Sequence, residues 1–165
     1  MTRAVLSIGS NLGDRLAHLR SAVAGFAEAL VAASPVYETK PWGVTDQPDF
    51  LNAILVVDDP AADAWAWLRR GQALEAASGR VRERRWGPRT LDVDVVTVDG
   101  VVSADPDLLL PHPGAASRAT VLVPWLAVDP GAALPGHGLV AELLAALPSG
   151  DLADVRLRQD LSLLA

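Results

Sequence analysis

The order of predicted helices and strands is the feature that most constrains how this chain can fold. Apolar residues recur at spacings of three and four in two segments, which predicts two amphipathic helices. Short runs rich in β-branched and apolar residues flank these segments and predict strands. The resulting β-α-β-β-α-β order favours a ferredoxin-like α+β core, an antiparallel sheet with both helices on one face. The predicted strands are 3–9, 34–39, 50–57 and 90–98, and the predicted helices are 15–30 and 59–78.

Further elements are expected around this core. The Asp99-Gly100 dipeptide predicts a hairpin turn, and the segment from Gly9 to Gly13 predicts a tight turn from strand to helix. The chain has 165 residues and contains no internal repeat or linker, so residues 1–165 are predicted to form a single domain. C-terminal additions are expected as helices near 120–127 and 139–147 and a closing strand near 154–158.

Composition excludes several classes of protein. Half of the residues are hydrophobic and 21% are charged, which excludes a mainly disordered chain. The absence of cysteine excludes a disulfide scaffold, a thiolate metal site and a cysteine nucleophile. The N-terminus lacks the apolar region of a signal peptide, and no apolar run is long enough to span a membrane. We therefore expect a cytoplasmic protein with no membrane partner.

The distribution of charge is more informative than its sum. A net charge of −6 opposes a broad nucleic-acid-binding surface, which needs an excess of positive charge. Positive charge is nevertheless concentrated in one segment, where five arginines and Glu83 give a local charge of +4. Such a concentration in an acidic protein predicts a focused anion site. The five arginines are Arg80, Arg82, Arg84, Arg85 and Arg89.

Two aspartates directly follow this arginine cluster. Side chains alternate between the faces of a strand, so Asp92 and Asp94 are expected on one face of the strand at 90–98. Paired carboxylates are typical ligands of Mg²⁺, which fills its remaining positions with water and substrate phosphates. With the arginines as phosphate partners, they predict a polyphosphate clamp. The alternative is a solvated pair of aspartates bridged to neighbouring arginines.

A second set of residues is suited to a flat heterocycle. Trp42 and Phe50 offer aromatic faces, and the Asn52 amide can match a donor and acceptor edge. The alternative places Phe50 in the core and uses Asn52 to satisfy backbone groups. His112 is either a surface residue or a phosphate donor. The glycine pattern of a P-loop is absent and that of a dinucleotide-binding fold is not matched, so neither phosphate site is predicted.

Four segments together resemble the 6-hydroxymethyl-7,8-dihydropterin pyrophosphokinase family of folate biosynthesis. The similarity extends from residue 4 to about residue 130, and the ten residues from Arg85 to Asp94 form its most specific motif. The segments are Ile8-Gly9-Ser10-Asn11-Leu12-Gly13-Asp14, Asp46-Gln47-Pro48-Asp49-Phe50-Leu51-Asn52, Arg85-Trp86-Gly87-Pro88-Arg89-Thr90-Leu91-Asp92-Val93-Asp94 and Leu110-Pro111-His112-Pro113.

The resemblance implies a reaction and a set of site residues. It implies that the chain transfers pyrophosphate from ATP, its co-substrate, to the pterin hydroxymethyl group and releases AMP. In that family two Mg²⁺ ions bind the two aspartates, here Asp92 and Asp94. The catalytic set implied is Arg82, Arg89, Asp92 and Asp94. The residues implied for ATP are Gln72, Glu75, Arg82, Arg84, Trp86, Arg89, His112 and Arg118, and those for the pterin are Thr39, Pro41, Trp42, Phe50, Asn52 and Thr120.

One position departs from the family pattern. The family usually has Arg-x-Phe-Val-Leu, with the Phe stacking on the pterin, where this chain has Thr120 between Arg118 and Val121. Either Thr120 leaves one face of the pocket without a ring, or Trp42 supplies it. We expect a monomer that acts on small molecules and binds no nucleic acid. The alternatives are a Mg²⁺-dependent nucleotidyltransferase and a non-catalytic ferredoxin-like module such as an RNA reader, although the predicted sheet lacks the basic, aromatic-rich strand of RNA readers.

Overall fold

A computed structural model describes residues 3–40, 46–79 and 90–164. Its main sheet has the strand order β10-β3-β4-β1-β5, and β2 also pairs with β4. All of these pairings are antiparallel. The main-sheet strands are β1 (Arg3–Ser10), β2 (Leu30–Ala33), β3 (Tyr37–Thr39), β4 (Phe50–Asp58), β5 (Asp92–Val98) and β10 (Val155–Leu157), and the two long helices are α1 (Arg15–Gly25) and α2 (Ala64–Ala77). The order β3-β4-β1-β5, with α1 and α2 as connections, is the ferredoxin-like arrangement that the sequence predicts.

Helices α1 and α2 cover one face of the main sheet. Leu6 and Ile8 of β1 and Leu55 of β4 are completely buried on that face, together with Phe26 and Trp67 from the helical layer. Asp14 and Asp63 cap the two helices, since their carboxylates accept hydrogen bonds from the third amide that follows. The predicted α+β class and the position of both helices on one face are confirmed.

The opposite face of the sheet is only partly covered. Val5, Ile54 and Val96 alternate with the first-face residues and pack beneath Leu122 and Trp125 of α3. The rest of this face carries polar groups in place of apolar ones. The elements that follow β5 are β6 (Ser103–Asp105), β7 (Leu108–Leu110), the 3₁₀ helix Ala115–Ser117, α3 (Ala119–Val128), β8 (Ala133–Leu134), β9 (Gly138–Leu139), α4 (Val140–Ala145) and α5 (Ser149–Ala153). The 3₁₀ helix, α3, β8 and α4 supply residues to the apolar cluster on this face, whereas Leu108 and Leu110 of β7 pack with the core on the first face.

Several predicted boundaries were wrong. The first helix ends at Gly25, because Leu30 pairs with Val57 in β4 instead of extending the helical stripe. The second helix begins at Ala64, since the Asp59 carboxylate accepts the amide of Ala61 in a preceding turn.

Only the second half of the predicted strand at 34–39 is a strand, β3, and the additional strand β2 precedes it and was not predicted. The predicted hairpin is also absent, because Val101 donates to the Val98 carbonyl in a turn and β6 pairs with β7 instead. The Gly9–Gly13 turn is shorter than predicted, since Gly9 lies within β1. Among the described residues, no helix has the length and apolarity needed to cross a membrane.

Candidate active site

The uncovered part of the second sheet face forms a cavity of about 390 Å³. Its floor is the polar end of β1, β4 and β5, and its walls are the loop before α3, the start of α3 and the C-terminal residues. This placement follows from strand alternation, because Asp92 and Asp94 share a face with Val96, which α3 and α4 cover. Eight of the predicted site residues line the cavity: Thr39, Phe50, Asn52, Asp92, Asp94, His112, Arg118 and Thr120.

One end of the cavity presents an amide and an aromatic ring. The Asn52 Nδ2 group donates to the Thr39 hydroxyl, which fixes the orientation of the amide. Gly9 lies opposite Asn52 in the β1–β4 ladder, and a Cβ at Gly9 would be 2.8 Å from Asn52 Oδ1. The same Cβ would be 3.5 Å from Cδ1 of Phe50. The absence of a side chain at Gly9 therefore allows the Asn52 amide and the Phe50 ring to lie over β1.

The carboxylate end lies two strands away. Gly9 pairs with Asn52 on one side and with Asp92 on the other, so the three residues form one row across the sheet. Two strand spacings separate Asn52 from Asp92 by about 9.5 Å. Asp94 lies opposite Ser7 in the next row on the same face, and both aspartates are half-buried. The cavity thus has an end with an amide and an aromatic ring and an end with two carboxylates, along one line.

His112 lies in the loop that leads to α3, and its hydrogen bonds determine its tautomer. The His112 amide donates to the Val96 carbonyl at 2.8 Å, which fastens the loop to β5. The amide of Gly114 donates to His112 Nδ1 at 3.1 Å, so this nitrogen is an acceptor and the neutral ring carries its proton on Nε2. Burial lowers the pKa of His112 below 6.5, the Arg118 charge lowers it further, and Asp92 opposes both effects. His112 is therefore suited to be a neutral donor.

Arg118 lies at the N-terminus of α3, where the chain leaves the 3₁₀ helix. Gly114 is close enough that a Cβ built there would be 2.7 Å from both Nε and Cζ of Arg118. Thr120 follows in the first turn of the helix and also lines the cavity. A fixed guanidinium and a helix N-terminus at one wall are both favourable to an anionic group.

Gln72 and Glu75 are not among the residues that line the cavity. They lie on α2, which covers the other face of the sheet, and Gln72 is exposed. Glu75 is 6% exposed, and its Oε2 accepts the amide of Val93 at 2.9 Å. Among the described residues β5 pairs in the main sheet only with β1, and Glu75 accepts a hydrogen bond from the amide of Val93, which lies between the two aspartates on this edge strand. Its observed contact is with the strand that carries them.

Six predicted site residues lie outside the described residues. These are Pro41 and Trp42 from the predicted pterin set, and Arg82, Arg84, Trp86 and Arg89 from the predicted nucleotide set. Sequence reasoning also missed several cavity residues. Lys40, Asp151, Asp154 and Val155 line the cavity but belong to none of the four motifs. The predicted closing strand was the only sequence signal that could have placed the last three near the sheet.

Comparison with known proteins identifies relatives of this chain. The family model described as 7,8-dihydro-6-hydroxymethylpterin-pyrophosphokinase (HPPK) matches residues 5–130. The 2-amino-4-hydroxy-6-hydroxymethyldihydropteridine pyrophosphokinase of Mycobacterium tuberculosis is 52% identical over 169 residues, covering 95% of this chain and 90% of the relative. The enzyme of the same name from Mycobacterium leprae is 53% identical over 170 residues, covering 95% and 89%.

A solved structure shows the same fold. A crystal structure of HPPK-DHPS in complex with substrates matches with a TM-score of 0.69 and 11% sequence identity over 88% of this chain. This chain spans 43% of that larger one, so it corresponds to less than half of its length. The match of the family model over residues 5–130, together with the mycobacterial relatives, places the chain in the 7,8-dihydro-6-hydroxymethylpterin-pyrophosphokinase family.

Proposed function

We propose that the cavity on the second sheet face is where this chain carries out the reaction of its family. The chain transfers a pyrophosphoryl group from ATP to the hydroxymethyl group of 6-hydroxymethyl-7,8-dihydropterin in folate biosynthesis. The hydroxymethyl oxygen forms a bond to the β-phosphorus while the bond from that phosphorus to the α–β bridging oxygen breaks. The products are AMP and the pterin diphosphate.

The observation that carries this assignment is the row formed by Asn52, Gly9 and Asp92 across three strands. Their separation is comparable to the long dimension of a pterin. A pterin whose pyrimidinone edge meets Asn52 and whose face meets Phe50 would extend toward β5. Its hydroxymethyl group would then lie beside Asp92 and Asp94, where the phosphates of ATP are to be held. The pterin residues so proposed are Thr39, Pro41, Trp42, Phe50, Asn52 and Thr120.

Asp92 and Asp94 fit a magnesium site in this cavity. The described ranges contain no group of three or more acidic or histidine side chains placed to hold a metal ion. Mg²⁺ in phosphoryl-transfer sites, however, needs only one or two carboxylates because phosphates and water complete its coordination. Two half-buried carboxylates on one strand face meet that requirement. We assign two Mg²⁺ ions to these carboxylates. The ions, when bound, would neutralise phosphate charge and orient the reacting oxygens.

The chain's own groups position and neutralise the triphosphate. The His112 Nε2 proton and the Arg118 guanidinium are donors on the wall formed by the loop before α3 and the start of α3, and neither donor forms a covalent bond with the transferred group. Positioning of this kind is the main requirement of phosphoryl transfer. The remaining proposed nucleotide residues are Gln72, Glu75, Arg82, Arg84, Trp86 and Arg89, with Arg82 and Arg89 also assigned to catalysis. Glu75 would act through the strand that bears the aspartates.

The remaining assignments concern the state of the protein. We treat residues 1–165 as one domain and expect a monomer, since both ends of the cavity come from one chain. We also expect it in the cytoplasm, where its co-substrate ATP is available. A nucleic-acid partner is not expected, because the net charge is −6.

One product analysis tests the proposal against its main alternative. The protein is incubated with ATP, Mg²⁺ and 6-hydroxymethyl-7,8-dihydropterin, and the nucleotide product is identified. Pyrophosphoryl transfer yields AMP in equal amount to pterin diphosphate, whereas a nucleotidyltransferase releases free pyrophosphate. Pyrophosphate with a nucleotide-linked pterin would contradict the assignment.

A further inference from the structure

The C-terminal segment, residues 149–158, forms a wall of the cavity although it lies beyond the residues that match the family model. Its strand β10 pairs with the side of β3 that β4 leaves open, so that Val155 lies opposite Thr39 and Leu157 opposite Tyr37. Without this pairing β3, a strand of only three residues, would lie at the edge of the sheet, where so short a strand is weakly held. The pairing with β10 gives β3 a partner on both sides.

Three ion pairs join the same segment to β3, to the residue after β3 and to the residue before β4. Lys40 directly follows β3, and Asp49 directly precedes β4. Glu38 is the central residue of β3 and also pairs with Arg15 at 2.6 Å. The pairs are Lys40 Nζ to Asp154 Oδ1 at 3.3 Å, Arg156 Nη2 to Asp49 Oδ2 at 2.7 Å and Arg158 Nη1 to Glu38 Oε1 at 2.8 Å.

These contacts converge on the hydrogen bond between Asn52 and Thr39. Thr39 is 1% exposed, its hydroxyl accepts the Asn52 amide proton, and its backbone lies between β4 and β10. A shift of β3 would rotate the amide that is to read the pterin edge. The phosphate end of the cavity, formed by β5 and the loop before α3, makes none of these contacts.

We infer that the C-terminal segment positions Thr39 and Asn52 for the pterin, and that Arg156 and Arg158 are positioning residues for pterin affinity. The inference rests on the proposed function, since it concerns the pterin end of that cavity. Neither arginine lines the cavity. An effect of either one on pterin binding must therefore pass through the strands that they hold.

The double variant Arg156→Gln/Arg158→Gln tests this positioning role. It removes the Arg156–Asp49 and Arg158–Glu38 ion pairs, together with the local Arg158–Asp160 pair, and leaves the cavity-lining side chains in place. Pterin affinity should fall by about three- to tenfold, because a partly exposed ion pair contributes up to about a fivefold effect. Affinity for a non-hydrolysable ATP analogue should stay within about twofold. Calorimetric titration with each ligand in the presence of Mg²⁺ measures both quantities.

Matched variants separate positioning from general loss of stability. Arg69→Gln makes the same change in an exposed arginine of α2, whose partner Asp63 is 4.0 Å away, and should leave both affinities unchanged. The exchange Asp49→Arg/Arg156→Asp restores opposite charges and should recover pterin affinity relative to Arg156→Asp alone. If the double glutamine variant fails to fold, Asp49→Asn removes the Arg156–Asp49 ion pair by changing the aspartate instead of the arginine. This variant should weaken pterin binding and leave the affinity for the ATP analogue unchanged.

The outcomes distinguish this inference from the proposed function. Unchanged pterin affinity in the glutamine variants, or an equal loss for both ligands, would overturn the positioning role while leaving the reaction assignment intact. A wild-type protein that binds neither ligand and forms no AMP would overturn the proposed function, and the positioning role with it.

Discussion

The guanidinium of Arg118 lies against the backbone at Gly114, where a Cβ would be 2.7 Å from both its Nε and Cζ atoms. Gly114 has φ −90° and ψ −7°, a conformation that any residue can adopt. Glycine is therefore needed here for space and not for backbone freedom. The contact links the loop that carries His112 to the N-terminus of α3, and these are two parts of one cavity wall.

Gly114→Ala should weaken nucleotide binding without destabilising the fold. The methyl group would displace the guanidinium, and a lost hydrogen bond to a charged group corresponds to about tenfold or more in affinity. Loss of glycine restricts the unfolded chain, so thermal stability should stay the same or rise slightly. Titration with an ATP analogue and a melting curve measure the two effects.

Gly131→Ala is the matched control, because its nearest atom is 3.9 Å from the built Cβ. Addition of Gly114→Ala to Arg118→Ala should cause no further loss. A further loss would contradict an effect through the guanidinium.

Replacement of either strand aspartate should abolish most of the activity. Asp92→Asn and Asp94→Asn keep the shape of the side chain but remove the negative charge that is to hold Mg²⁺. Because a bound metal stabilises the transition state by several kcal/mol, the rate should fall about a thousandfold. Steady-state assays of AMP formation measure the loss, and circular dichroism should show an unchanged fold. Asp105→Asn, in exposed β6, should retain activity. Retention of more than about a tenth of turnover in either variant would refute the metal assignment.

His112→Asn separates the two hydrogen-bonding roles of the imidazole. An Asn side-chain oxygen can accept the amide two residues later, as His112 Nδ1 accepts that of Gly114, but it offers no donor at the Nε2 position. We expect a stability close to that of the wild type. We also expect kcat to fall by about tenfold or more, because the variant loses one hydrogen bond to a charged phosphate group. His112→Ala should lower both. Equal activity of wild type and His112→Asn would show that Nε2 makes no contribution.

Thr120→Phe tests whether the pterin site lacks an aromatic face. An aromatic contact adds about 0.5–1.5 kcal/mol, so pterin affinity should rise by about two- to thirteenfold while ATP-analogue affinity stays constant. Thr120→Val, which keeps the size of the side chain, should leave pterin affinity nearly unchanged. Weaker pterin binding in Thr120→Phe would instead indicate that Trp42 already supplies the second ring.

Glu38 should contribute to the pH dependence of stability. The Arg15 hydrogen bond, assisted by Arg158, holds the pKa of this carboxyl below its ordinary 4.5 against the opposing effect of burial. The stabilisation is therefore complete above the unfolded-state value and is lost as the pH falls through the lowered folded-state value. In melting curves over this acidic range, Glu38→Gln should reduce the loss of Tm on acidification. Glu28→Gln, which makes the same change at an exposed glutamate in the turn after the first helix, is the matched control.

Local patterns were sufficient to predict much of the site. Strand periodicity placed Asp92 and Asp94 on one face, and β5 places both in the cavity. The chemistry of Phe50 and Asn52 indicated a heterocycle site, and both residues line the same cavity as the aspartates. The prediction for the two aspartates is confirmed because alternation along a strand depends only on neighbouring residues. The heterocycle site stays a prediction.

Other features were beyond the reach of local patterns. The sequence by itself determined the order of the core elements, the family and the motif residues, since each is carried by short-range spacing and residue type. Only the tertiary structure decided that Gly9 gives room to Asn52, that Gly114 gives room to Arg118, and that residues of the segment 149–158 form a wall of the cavity. Each of these contacts joins residues in different elements, or across a loop, whose distance depends on how the sheet, the helices and the C-terminal segment pack together. Packing of this kind arises from the burial of the whole core and leaves no periodic signal along the chain.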